Sequence, residues 1–258
     1  MKNKDELKDV FDEYVSKYDK NSNKIALKYS HTFRVADLCE KLAITLGLSK
    51  KEVYIAYVIG MLHDIGRFEQ IKRYNTFSDR HSIDHASLGV EILKGGMLRK
   101  FLPDIFDYDD IIINSVEYHN KIRIPDENYT EKELTFFKLI RDADKIDIYY
   151  IMQNGSDVIL YGDFDIEKLN NNVKNSIYSK TLVDRKYMIN DSDQIIVNII
   201  YVFDIYFKCS FEYLKQNQYI SKYISMINSS NQESKEFLKE VNNLINNYID
   251  EKISILKR

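Results

Sequence analysis

The chain has 258 residues, of which 30% are charged and 44% hydrophobic, and its formal net charge is -3. This length is enough to bury a sizeable core in one domain, or in one domain with an appendage. The weakly acidic balance offers no general surface for a polyanion, so we expect no nucleic-acid partner.

Proline and glycine are scarce, with 2 and 8 residues respectively. Because both residues are unfavourable inside helices and common in turn-rich β proteins, their scarcity predicts an all-α fold of long helices. Hydrophobic periodicity places these helices at residues 4–19, 24–47, 50–65, 83–94, 109–121, 131–152, 165–178, 193–228 and 232–256. No strand pattern of comparable length competes with them.

Two capping boxes predict where helices begin. Ser49 with Glu52, and Thr130 with Glu133, each combine a hydroxyl with a carboxylate three residues later. Such a pair satisfies the first free amides of a helix from both sides. Helices are therefore expected to start near residues 50 and 131.

Glycines predict where two helices end. Gly66 can take the left-handed conformation that closes a helix, which would place His63 and Asp64 in the last turn of the third predicted helix. Gly95 and Gly96 are expected to close the next helix in the same way.

The cysteines and the apolar stretches indicate where in the cell the protein is expected. Cys39 and Cys209 form no CxxC pair, which argues against a disulfide framework and a thiolate zinc site. The charged residues 1–9 predict neither a signal peptide nor an anchor. The most apolar stretch, 195–207, is too short to cross a bilayer. We therefore expect a cytoplasmic protein without membrane contact.

Histidines and aspartates form the most informative set in the chain. Imidazole and carboxylate ligands in this number suit a borderline divalent cation, and an adjacent His-Asp pair lets one turn of backbone present both to one centre. The set comprises four of the 5 histidines and two aspartates: His31, His63, Asp64, His85, His119 and Asp144. The sequence therefore predicts a metal site.

Helical phase supports this prediction, because residues three, four and seven apart share a helix face. His31 continues a row of apolar residues in the second predicted helix. Asp144 lies four residues from both Ile140 and Ile148, so it is expected to face inward. Asp142 is expected on the opposite side, which favours Asp144 as the ligand. His85 is expected near a helix N-terminus, where the helix dipole disfavours imidazolium.

In the order His31, then His63-Asp64, then Asp144, the chain resembles the HD-domain superfamily of metal-dependent phosphohydrolases. The resemblance covers approximately residues 25–150. It implies an all-α helical bundle and, most often, hydrolysis of a phosphoester. The ion held by these residues would polarise a phosphoryl oxygen and lower the pKa of bound water.

The other two histidines of the predicted ligand set extend the resemblance. His85 and His119 look like the extra pair of members that hold a second metal, and Asp64 is then expected to bridge both ions. The expected cofactor is one or two divalent ions of Fe, Mn, Mg, Zn, Co or Ni. The chain lacks the Gly-Tyr-Pro motif of the branch that cleaves cyclic di-GMP and the Glu-Asp pair typical of alarmone hydrolases. A small nucleotide or other phosphomonoester remains as the expected substrate.

Cations and polar residues beside the ligands are candidates for phosphate binding. Asp64, Lys145 and Arg67 are the predicted catalytic residues. The predicted substrate-binding residues are Lys145, Arg67, His81, Asn120 and Lys121. Arg80 and Arg123 are further candidate phosphate ligands, although each of these cations could instead be an ordinary solvated charge. Asp84 and Glu117 could orient the ligand imidazoles.

We expect residues 1–152 to form an HD-type metal-binding core. Residues 153–258 are expected to be a helical extension that packs on the core or mediates homo-oligomerisation. Two other functions stay open at this point. A few oxygenases use the same fold and a similar ligand set to activate dioxygen at a di-iron centre. The third hypothesis is a non-catalytic module that binds a nucleotide or a protein partner.

Overall fold

The computed structural model describes residues 1–19, 21–125, 127–154, 163–229 and 231–256. The described residues contain helices and no strand, so the predicted all-α class is confirmed. The chain divides into two compact units, Met1–Ala143 and Asp144–Arg258. The predicted domain boundary at residue 152 falls in the same long helix as this division, and the roles of the predicted domains stay predictions.

The first unit is built from seven helices and the start of an eighth within its described residues. These are α1 (Lys4–Val15), α2 (Asn23–Thr45), α3 (Lys50–Leu62), α4 (Ile65–Tyr74), α5 (His85–Ile92), α6 (Leu98–Phe101), α7 (Asp109–Tyr118) and α8 (Glu131–Gln153), which continues into the second unit. Both capping-box predictions are confirmed. Ser49 accepts from the Glu52 amide at the start of α3, and Thr130 accepts from the Glu133 amide at 3.3 Å before α8.

Close backbone contact joins α2 to α3. A Cβ atom added at Gly60 would lie 2.5 Å from the Ala36 Cα atom, which is inside van der Waals contact. Only glycine lets the two helices approach this far. The same contact region carries His31 on α2 and leads to His63 at the end of α3. The packing of these two helices therefore fixes the spacing of two predicted ligands.

Helix α4 was not predicted, and the expectation for Gly66 is wrong. Gly66 is the second residue of α4 and has no positive φ. A Cβ at this position would lie 2.2 Å from the His85 carbonyl oxygen and 2.7 Å from the Gly89 nitrogen. Gly66 is therefore required for close packing of α4 on α5, and Asp64 is the N-cap of α4.

The Gly95-Gly96 prediction is partly right. Gly96 has φ 107°, as expected for a helix-closing glycine, but it lies in a π-helical turn, Leu93–Met97, that leads directly into α6.

An aromatic cluster packs α1 against α4 within the first unit. The Phe11 ring packs edge-on against Phe68 of α4, with ring centroids 5.6 Å apart. The buried Tyr14 hydroxyl donates to the Ile65 carbonyl oxygen at 3.0 Å. This hydrogen bond holds the first turn of α4, directly after Asp64.

The second unit contains the end of α8 and five further helices among its described residues. These are α9 (Asn171–Ser179), α10 (Asp191–Ile200), α11 (Lys208–Asn217), α12 (Tyr219–Met226) and α13 (Gln232–Ile255). The single helix predicted at 193–228 is wrong, because the chain is extended at Ile205 and Phe207 and left-handed at Gln218. No proline or glycine marks these breaks, which is why the sequence pattern did not reveal them. Among the described residues, no helix has the length and apolarity needed to cross a membrane.

Candidate metal centre

Five of the six predicted metal ligands lie together in the first unit. His31 comes from the middle of α2, and His63 and Asp64 form the junction between α3 and α4. His85 is the first residue of α5, as the sequence predicts, and His119 is the C-cap of α7. None of these side chains is more than 3% exposed. Four separate chain segments therefore converge on one buried site.

Asp64 stands at the centre of this group. Its Oδ2 atom lies 3.4 Å from His31 Nε2 and 3.6 Å from His63 Nε2. Its Oδ1 atom lies 3.3 Å from His85 Nε2 and 3.7 Å from His119 Nε2. Asp64 makes no side-chain cap to α4, so both oxygens face the imidazoles. Each carboxylate oxygen thus serves a different histidine pair.

The spacing within each pair fits a shared ion. The two Nε2 atoms are 3.2 Å apart in the pair His31 and His63, and 3.0 Å apart in the pair His85 and His119. Two nitrogens bound to one ion at about 2.1 Å, at angles of about 90–110°, stand about 3.0–3.4 Å apart. Each pair with its Asp64 oxygen forms a group with metal-ligand spacing. The donor set therefore fits two divalent ions that share one carboxylate.

The other ring nitrogens fix the imidazole tautomers. His63 Nδ1 donates to the Gly60 carbonyl oxygen at 2.7 Å, and His119 Nδ1 donates to the Val116 carbonyl oxygen at 2.6 Å. A proton on Nδ1 leaves Nε2 with a lone pair for a metal. The main chain of α3 and α7 thus turns both rings towards Asp64.

Burial and nearby charges set the protonation of the site. Burial alone would raise the pKa of Asp64, but the Lys28 ammonium and the surrounding histidines hold that pKa well below its ordinary value. Burial, together with the charge of Arg67, lowers the pKa of His85 to about 3. This direction agrees with the neutral imidazole expected at His85. Its main cause is burial, whereas the sequence argument invoked the helix dipole.

Two cations flank the shared carboxylate. Lys28 Nζ donates to Asp64 Oδ2 at 2.5 Å, and its side chain is 15% exposed. Arg67 Nε lies 3.6 Å from Asp64 Oδ1. Lys28 was not predicted, although it stands one helical turn before His31 on α2, and that spacing was an available signal. Arg67 was predicted, and it lies beside the site.

Asp79 is a second residue that the sequence analysis missed. It lies on a 3₁₀ turn before α5, and His85 Nδ1 donates to its Oδ2 atom at 2.8 Å. Burial would raise the pKa of Asp79, but hydrogen bonds from His85 and Gln70 and the Arg67 charge hold that pKa far below its ordinary value. Asp79 therefore makes the contact with a ligand imidazole that was expected of Asp84 or Glu117.

Asp84 and Glu117 act elsewhere. Asp84 caps α5 by accepting from the Ala86 amide, and it pairs with Lys121. Glu117 accepts from Ser87 and also pairs with Lys121. Within the described chain neither carboxylate hydrogen-bonds an imidazole.

Arg141 supports the end of α7 near the site. Its buried guanidinium donates from Nη1 to the carbonyl oxygens of Tyr118 and His119, at 2.6 and 3.3 Å. A cation at a helix C-terminus satisfies the last free carbonyls. Arg141 thus fixes the main chain that carries the His119 ring.

The phase argument for Asp144 is wrong in one part. Asp142, expected on the outward side, is fully buried, whereas Asp144 is only partly buried. Most side chains of α8 in this region are buried, including the charged Arg141 and Lys145. A single apolar stripe therefore does not distinguish a ligand from its neighbours. Asp144 is the first residue of the second unit, and its assignment as a metal ligand stays a prediction.

The predicted substrate-binding residues differ in their surroundings. Lys145 is buried and forms an ion pair with Asp204 at 2.7 Å within the second unit. His81 is exposed and contacts Ser78. Lys121 is committed to Asp84 and Glu117 on the first unit.

Asn120 lies nearer the ligands. Its amide nitrogen donates to Asp84 at 2.9 Å, and its Oδ1 atom is buried without a hydrogen-bond partner in the described chain. Arg80 and Arg123 are exposed. Substrate binding by all of these residues stays a prediction.

Two histidine pairs that share a carboxylate, held by packed helices, define a candidate dinuclear metal centre. The family model for the HD domain matches residues 29–149, which include all of the predicted ligands. These residues therefore belong to the HD-domain superfamily, as the sequence resemblance indicated. No curated protein and no solved structure matches the chain.

Proposed function

We propose that the protein is a metal-dependent phosphohydrolase that acts on a small phosphate ester, such as a nucleotide or a related phosphomonoester. The observation that carries the proposal is the placement of the Asp64 oxygens, one facing each histidine pair. Membership of residues 29–149 in the HD-domain superfamily supports the hydrolytic assignment.

The buried ligands would hold two divalent ions side by side. His31, His63 and one Asp64 oxygen form the first set, and His85, His119 and the other oxygen form the second. When bound, such ions lower the pKa of water and polarise a phosphoryl oxygen. Among the described residues Asp64 is the carboxylate that both sets share, and its low pKa keeps it charged for this role.

Positive charge around Asp64 suits a phosphate ester. Arg67 Nη1 donates to the Phe77 carbonyl oxygen and to Asp79, at 2.6 and 2.9 Å, which fixes the guanidinium. Its Nε atom is buried and has no hydrogen-bond acceptor in the described chain. A buried donor without an acceptor is costly, and an oxygen of a bound phosphoryl group would satisfy it. Lys28 adds a second cation on the other side of Asp64.

A screen of phosphorylated metabolites tests this function. The full chain is reconstituted separately with Mn²⁺, Mg²⁺, Zn²⁺, Co²⁺, Ni²⁺ and anaerobic Fe²⁺, and released phosphate is measured. We expect release from at least one monoester and its loss in Asp64→Asn. Asp37→Asn makes the same chemical change on an exposed carboxylate and should retain full activity. Phosphate release by Asp64→Asn at the wild-type rate would contradict the proposal.

The same donor set supports a second candidate, a di-iron oxygenase. Four imidazoles and a shared carboxylate also suit iron, so this donor set is compatible both with activation of water and with activation of dioxygen. Substrate-dependent oxygen uptake by the iron-loaded protein, without phosphate release under anaerobic conditions, would favour the oxygenase. Ligand binding with neither reaction would favour a signalling module.

A further inference from the structure

Three of the ligand histidines, His63, His119 and His85, differ in the group that accepts from Nδ1. His63 and His119 direct Nδ1 to main-chain carbonyl oxygens of their own helices. His85 instead directs Nδ1 to the Asp79 carboxylate, 2.9 Å from Oδ1 and 2.8 Å from Oδ2. A carboxylate behind an imidazole makes the opposite nitrogen a stronger electron donor than a carbonyl does. The second ligand set therefore has a negative charge directly behind one of its ligands.

Asp79 is itself held in place by α4. Arg67 Nη1 and Gln70 Nε2 each donate to Asp79 Oδ1 at 2.9 Å. Gln70 is fully buried, and it also donates to the Ile83 carbonyl oxygen at 2.9 Å. Asp64 occupies the N-cap position of α4, so the shared ligand and the two residues that donate to Asp79 belong to the same segment.

We propose that Asp79 is a positioning residue that sets the affinity of the His85 and His119 pair for its ion, and so decides whether the protein holds one ion or two. It acts by fixing the His85 ring and increasing the donor strength of Nε2. The His31 and His63 pair should keep its affinity when Asp79 is replaced. This inference rests on the proposed metal centre, and its test does not require hydrolysis.

The test compares Asp79→Asn and Asp79→Ala with wild-type full chain, loaded with Mn²⁺. Ion binding is measured by titration calorimetry and by elemental analysis after dialysis, and electron paramagnetic resonance separates a coupled ion pair from an isolated ion. We expect one of the two binding steps to lose about 10–100-fold in affinity, while the other step is unchanged. The resonance spectrum should change from a coupled pair to an isolated ion.

Asp84→Asn is the matched control. Asp84 also lies beside His85 and contacts Asn120, but it does not hydrogen-bond the His85 ring in the described chain. Its asparagine can still cap α5, so this variant should bind both ions. Circular dichroism shows whether each variant is folded.

Two results would overturn the inference. One is unchanged affinity for both ions in Asp79→Ala, and the other is an equal loss in Asp79→Asn and Asp84→Asn, which would indicate a general charge effect. Wild-type protein that binds no ion would instead refute the proposed function itself.

Discussion

Replacing Gly66 by alanine should separate α4 from α5 and disturb the metal centre. The new Cβ would lie 2.2 Å from the His85 carbonyl oxygen and 2.7 Å from the Gly89 nitrogen. Since unbonded heavy atoms pack at about 3.5 Å, the helices must move apart by about 1 Å. Overpacking in a core costs about 1–3 kcal/mol. We expect about 3 kcal/mol, because both opposing atoms belong to the main chain and cannot rotate away.

The assay is urea unfolding of metal-free Gly66→Ala, followed by ion binding on the folded variant. Because His85 carries the displaced carbonyl, the affinity of the second ligand set should fall as well. Gly95→Ala is the control, since nothing lies within 4 Å of its added Cβ and its φ is not positive. We expect the control to lie within about 1 kcal/mol of wild type. A free energy of unfolding for Gly66→Ala within about 0.5 kcal/mol of wild type would refute this reasoning.

Three further predictions concern residues around Asp64. Acidification should destabilise the metal-free protein as the pH falls from 6.5 towards 3. In this range unfolded His85 binds a proton, whereas folded His85, with its pKa lowered to about 3, stays neutral. Denaturation midpoints at several pH values measure this effect, and a stability that rises on acidification would contradict it. Tyr14→Phe removes the hydrogen bond to the buried Ile65 carbonyl oxygen and should cost about 1–3 kcal/mol of unfolding free energy, whereas an unchanged urea midpoint would argue against that role. Lys28→Met should lower kcat/KM for a phosphate ester by about tenfold or more, while the ion content stays at the wild-type level. An unchanged kcat/KM would exclude Lys28 from substrate binding.

Local signals in the sequence predicted much of the fold. Capping boxes at Ser49 and Thr130 located the starts of α3 and α8 because a cap is satisfied by residues three positions apart. The missed helix α4 and the wrong expectation for Gly66 have a different origin. The need for glycine there comes from the His85 carbonyl of another helix, and no local pattern reports such a contact.

The candidate site shows the same division between local and long-range information. The histidines and Asp64 stood out because they continue rows of residues at helical spacing on several predicted helices. Asp79 did not stand out, since it lies on a short 3₁₀ turn without periodicity and becomes important only through His85. Helical phase ranked Asp144 above Asp142, but most side chains of α8 around these residues are buried, so this phase carries little information.

Ion content is the most direct measure of the central claim that Asp64 joins two histidine pairs into one metal centre. Wild-type protein reconstituted with Mn²⁺ at neutral pH and dialysed should contain about two ions per chain by elemental analysis. Asp64→Ala should retain less than about one ion, because both ligand sets lose their shared oxygen donor. Wild-type protein without bound metal, or an Asp64→Ala variant that keeps both ions, would contradict this account.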